Sequence, residues 1–139
     1  MNRSTIVSAE LALRLVVPDR TTVPLLAEME YAADDPYAVR MLFYAGNDDP
    51  VEWIFARELL TVGIVRRVGD GDVQVWPGEP DDDRIVHIAL SSPFGDALFE
   101  VPLPPMADFL HRTYKVVPAG REPEFIDMEA ELENLLWSS

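Results

Sequence analysis

Between residues 5 and 17 the apolar side chains Val7, Ala9, Leu11, Leu13, Leu15 and Val17 take every second position, with Ser8, Glu10 and Arg14 among those between them. Successive side chains of a strand point to opposite faces, so an alternation this long predicts a strand with one buried face. Pro18-Asp19-Arg20 supplies a turn, and a second alternation follows at Val23, Leu25, Ala27, Met29 and Tyr31, with Glu28 and Glu30 opposed. Asp34-Asp35-Pro36 ends it, and residues 37–44 read as a third strand. Short turns between such runs predict an antiparallel meander.

The next segment has two readings. Asp49, Pro50 and Glu52 resemble an N-cap, a proline at the first helical position and a capping-box partner. Val51, Trp53 and Phe55 alternate as a strand would. The favoured reading is a short strand through Phe55, then a helix over residues 56–62 stopped by Gly63. Beyond it, residues 64–68 suggest a strand, Gly69-Asp70-Gly71-Asp72 a tight turn, and residues 73–76 another strand. Residues 77–83 form an exposed acidic loop. Residues 84–90 and 97–101 read as a hairpin around Ser91-Ser92-Pro93-Phe94-Gly95. After Pro102, Met106, Phe109, Leu110 and Tyr114 share one helical face. Pro118 and Gly120 break that helix, and a last one is expected from about Phe125 to Trp137, striped by Phe125, Met128, Leu132, Leu135 and Leu136.

Strands, a short helix, strands again and then longer helices predict an α+β fold, a twisted antiparallel sheet with helices packed at one face or end. The 139 residues contain no flexible linker, so one domain over 1–139 is expected. A chain near this length buries roughly 70% of its unfolded surface, enough for a core without staples.

Charge restricts the partners. There are 25 Asp and Glu against 11 Lys and Arg, a net charge of −14. Nucleic-acid binding needs clustered Lys and Arg, and the only adjacent pair here is Arg66-Arg67. Anionic membrane surfaces would repel the chain as well. No nucleic-acid partner and no direct membrane insertion are expected. The N-terminal residues lack a signal-peptide pattern and no long apolar run occurs, which points to the cytoplasm.

Candidate chemistry is sparse. Without cysteine, disulfides and thiolate sites are excluded. His87 and His111 lack companions at ligand spacing and read as structural. Gly69-Asp70-Gly71-Asp72 lacks the features of a phosphate or calcium loop and reads as a hairpin turn. Asp81-Asp82-Asp83 reads as a solvated loop. No enzyme, metal or cofactor is expected. The last segment, acidic outside and apolar along one stripe, is expected to pack on its own sheet, with docking on a partner or neighbouring subunit as the alternative. The candidate partner-binding residues are Gly120, Phe125, Leu132, Leu135, Leu136 and Trp137, with Gly120 fixing the joint between the last two helices.

The string Trp53-Ile54-Phe55-Ala56-Arg57-Glu58-Leu59-Leu60-Thr61-Val62-Gly63, followed by Gly69-Asp70-Gly71-Asp72-Val73 and Pro77, resembles the most characteristic region of the SsgA-like family of actinomycete sporulation and cell-division regulators. The Leu42-Phe43 strand before it and Phe109-Leu110-His111-Arg112-Thr113 after it extend the resemblance over nearly the whole chain. The resemblance implies a role in placing division septa by recruiting the tubulin-like protein FtsZ, with an SsgA-type paralogue as a second partner and location at the septum through partners. It further implies a fold similar to the whirly proteins, assembled as a homotrimer. It carries over no catalytic residue. Trp53, Phe55, Arg57, Leu59, Leu60, Gly63, Gly69 and Gly71 are expected to specify the fold rather than meet a partner.

Overall fold

The structure is a computed structural model describing residues 5–44, 46, 49–79, 82, 84–93 and 95–126. Its strands are β1 (Ile6–Val16), β2 (Thr22–Ala32), β3 (Ala38–Tyr44), β4 (Val51–Ala56), β5 (Val73–Pro77), β6 (Ile85–Ser92) and β7 (Gly95–Pro102). Helix α1 (Arg57–Gly63) follows β4, and helix α2 (Leu103–Val116) follows β7. All seven strands join one sheet in the order β4-β3-β2-β1-β7-β6-β5, every described pairing antiparallel. The protein is α+β, as the order of patterns predicts.

Period-two alternation sets the register. β1 and β2 pair along their full length from Ile6↔Ala32 to Val16↔Thr22, which puts Val7, Leu11 and Leu13 beside Tyr31, Ala27 and Leu25 on one face. A slip by one residue would turn every one of these side chains to solvent. Pro24 is tolerated in β2 because β3 pairs only with Leu26 through Glu30, leaving nothing for its missing N–H to serve.

The sheet is strongly curled. Phe43 of β3 and Phe99 of β7 are three strand spacings apart, roughly 14 Å in a flat sheet. Their rings nevertheless stack with centroids 4.6 Å apart. The concave face therefore closes on itself and forms the core, including Leu11, Met29, Met41, Phe55, Ile88 and Val101. At one end α2 lies across β1 and β7, its buried stripe of Met106, Phe109, Leu110 and Thr113 turned inward. Arg112 fastens it there by donating to the Ser8 carbonyl at 3.2 Å.

The favoured strand before α1 is present: Val51–Ala56 pairs with β3, and residues 49–52 start no helix. Other local expectations change. α1 begins at Arg57 without a side-chain cap, and the Arg57 N–H finds the Tyr37 carbonyl at 2.8 Å. Residues 64–68 form no strand: Ile64, Val65 and Arg66 donate to the last carbonyls of α1, and only Val68 bridges to Val75. The Gly69–Asp72 segment closes that bridge as a turn, with Gly69 at φ +103° and Gly71 at φ +75°. Phe125 ends a 3-10 turn (Glu122–Phe125) and Ile126 is extended, while the rest of the helix expected to Trp137 lies outside the described residues. Pro118 and the left-handed Gly120 follow the end of α2, where the break was expected.

On the convex face Glu10 stands directly opposite Glu28. Like charges so placed repel. Glu10→Lys is expected to raise stability by about 0.2–1 kcal/mol at low salt. Thermal melts should show the gain shrinking at 1 M salt, where charges separated by more than ~3 Å are screened.

Candidate functional site

Inward alternation in β4 continues from Phe55 to the residue two places on, and that residue is an arginine. Arg57 is 1% exposed. Such a charge survives burial only when it is paired and hydrogen-bonded. Its Nη1 donates to the carbonyls of Thr113 at 3.1 Å and Val117 at 2.8 Å, and its Nη2 to Glu122 Oε2 at 3.0 Å. The guanidinium lies over the rings of Tyr114 and Tyr31, 3.9 and 4.9 Å from their centroids. One side chain thus caps α2, where the helix dipole is negative, and ties the chain beyond it to α1.

The surroundings tighten the junction. Tyr31 donates its hydroxyl to the Pro36 carbonyl at 3.0 Å. Burial pushes the Tyr31 phenol up to about 12, with the Arg57 charge opposing. Its own backbone amide holds the Glu122 carboxyl below the usual glutamate value, opposed by partial burial and reinforced by Arg57. Because the folded state raises the Tyr31 pKa, its contribution is complete below the unfolded value of about 10 and is lost as pH rises towards 12. Denaturant melts between pH 9 and 12, read as a pH titration against the tyrosine reference of about 10, should show this loss, and Tyr31→Phe should flatten it.

A groove of about 720 Å³ runs beside the junction, lined by Tyr37, Glu58, Thr61, Tyr114, Gly120 and Glu122 among others. Thr61 and Tyr114 join hydroxyls across it at 2.8 Å. Gly120 sits on its wall at φ +84°, with open space where a Cβ would be. Its requirement is conformational, as a left-handed joint demands.

The family-string residues divide by role. Phe55 and Leu60 are core, Leu59 and Trp53 pack against it, and Trp53 stacks on Phe55 with centroids 6.5 Å apart. Gly63 is not a left-handed stop; it is the last residue of α1, and a Cβ there would lie 2.2 Å from Val75 Cγ1. The helix can approach β5 only because no side chain intervenes. Among the candidate partner-binding residues, Phe125 is buried in the core rather than displayed. Leu132, Leu135, Leu136 and Trp137, with Met128, lie outside the described residues.

The histidines are apart from this junction. His111 is exposed on α2, and His87 stacks on Trp76 with centroids 5.2 Å apart, its Nδ1 buried without a partner. Among the described residues no three His, Asp or Glu side chains converge as a metal-ligand set. Of the acidic loop, Glu79 and Asp82 are exposed, while Asp81 and Asp83 lie outside the described residues. Among the described residues no helix is long and apolar enough to cross a membrane. Sequence reasoning named Arg57 but missed its acceptors, Glu122 and the carbonyls of Thr113 and Val117. The one local signal was its inward register after Phe55.

Residues 25–122 match the family model described as "Streptomyces sporulation and cell division protein, SsgA". The chain belongs to the SsgA family. It is 56% identical over 128 residues to the sporulation-specific cell division protein SsgB of Thermobifida fusca, covering 92% of this chain and 93% of that protein. The crystal structure of an SsgA-like sporulation-specific cell division protein from Thermobifida fusca superposes with a TM-score of 0.87 at 53% identity, covering 97% and 98% of the two chains. A solved structure concerned with SsgB mutations that correlate to longitudinal cell division during sporulation of Streptomyces coelicolor gives 0.84 at 45% identity, covering 91% and 99%. The curled sheet with two helices is therefore an SsgA-family fold, and the Trp53–Gly63 string is its junction between sheet, α1 and α2.

Proposed function

We propose that this SsgA-family chain is a non-enzymatic adaptor that positions septa during sporulation by recruiting FtsZ. The observation that carries the reading is nearly full-length similarity to sporulation-specific cell division proteins. The charge of −14 and the scattered basic residues favour contacts with other polypeptides over phosphate backbones. An SsgA-type paralogue is the second partner, and the protein acts in the cytoplasm, concentrated at the septum through those contacts.

The assembly belongs to the same proposal: a homotrimer of whirly-like subunits. β4 is an edge of the sheet and exposes Ile54 on its outer face, which a second copy can cover. Light scattering at micromolar concentration should give three chains, and the mass of one chain would remove the trimer.

The adaptor reading is tested by sedimenting purified FtsZ polymers with the purified chain. Co-sedimentation is expected, and its absence at micromolar concentration would overturn direct recruitment. Removal of residues 127–139, which leaves the Arg57–Glu122 pair intact, asks whether the terminal segment makes the contact. One observation favours a second reading, single-stranded nucleic-acid binding: Arg67 lies 4.5 Å over Trp76, which stacks on His87. Stacked aromatics with arginine are a platform for bases. Micromolar binding to an oligonucleotide, weakening steeply with salt, would support that reading against the adaptor.

A further inference from the structure

At the end of the curled sheet remote from α1 and α2, the concave face is open. A cleft of about 330 Å³ enters there, walled by Leu15, Leu25, Phe43, Trp53, Leu90 and Phe99. We propose that this cleft receives one large apolar side chain from a partner polypeptide whose flanking residues are basic. The proposal rests on the adaptor reading and assigns it a contact surface away from the terminal segment.

Three observations carry it. Size comes first: at about 30 Å³ per small group, the cleft holds on the order of ten non-hydrogen atoms, the bulk of one aromatic side chain. Rigidity comes second, since the named walls stand on strands and the Phe43–Phe99 stack forms the floor. Pre-formed apolar pockets that accept a single anchor residue concentrate binding energy at interfaces. Charge comes third. Among the described residues none that lines the cleft is basic, Asp96 stands exposed at the rim, and the chain carries −14 overall. A basic flank is attracted to such a rim and an acidic one is turned away.

The test titrates labelled protein with two synthetic peptides, acetyl-Lys-Lys-Gly-Phe-Gly-Lys-Lys-amide and its Glu-for-Lys counterpart, following amide and Trp53 indole resonances. The Lys peptide should shift Leu90, Ala97 and Trp53 and bind at least tenfold tighter than the Glu peptide. Ala97→Phe, which fills the cleft, should weaken the Lys peptide at least tenfold. Asp96→Asn, an exposed change that leaves the fold intact, should weaken it severalfold at low salt. Equal binding of both peptides, shifts centred elsewhere, or no effect of either variant would overturn the proposal. So would a lower oligomeric mass in Ala97→Phe, which would assign the cleft to a second copy of this chain. FtsZ sedimentation separates the two ideas. Wild-type binding retained in Ala97→Phe leaves the adaptor and removes the cleft, whereas loss of FtsZ binding by the wild type removes the adaptor while the peptide titration still decides the cleft.

Discussion

Arg57→Met should cost about 3–5 kcal/mol of stability, the range seen when one partner of a buried charge pair is removed. The substitution keeps much of the volume but leaves Glu122, only 16% exposed, without its cation. The carbonyls of Thr113 and Val117 lose a donor at the same time. Arg57→Lys should recover only part of the loss, because an ammonium cannot span three acceptors while lying flat between two tyrosine rings. Glu122→Gln, which retains an acceptor at a partly exposed position, should cost much less than Arg57→Met. Urea unfolding of the three variants checks the order. A loss under 1 kcal/mol for Arg57→Met would show that the junction does not hold α2 in place.

Gly63→Ala is the second large effect, and it runs in the opposite physical direction. Nothing polar is lost; a methyl group is forced to within 2.2 Å of Val75 Cγ1 and 2.5 Å of Val75 Cβ. Val75 is fully buried in β5, so the strand or α1 must shift. Overpacking of this kind costs about 1–3 kcal/mol, outweighing the gain of up to about 1 kcal/mol that alanine has over glycine in a helix. The cause can be isolated. In Gly63→Ala/Val75→Ala the two penalties should fall short of their sum by at least about 1 kcal/mol, because shortening Val75 makes room for the new methyl. Strict additivity by equilibrium unfolding would place the defect elsewhere.

Both residues belong to the family string, and both act through partners distant in sequence. Their roles were partly visible beforehand. The register of Phe55 already turned Arg57 inward, so its burial could be read from the chain, yet its acceptors stand 56, 60 and 65 residues away. Gly63 was read as a stop because glycine often ends helices. Its actual constraint is the distance between α1 and β5. Phe125, named as a candidate docking residue on the alternative reading of its stripe, is buried, as the favoured reading of packing on the chain's own sheet expects.

Local patterning was enough for the alternating strands, the glycine turn at residues 69–72, the start of α2 after Pro102 and the inward set of β1 and β2. Those features depend on neighbours within a few residues, where side-chain period and backbone preference act directly. How far the sheet curls, that Phe43 meets Phe99, and that one guanidinium joins α1 and α2 emerge only in the folded chain. Curl accumulates from small twists over seven strands, and the contacts it creates link residues whose separation along the chain carries no local signal.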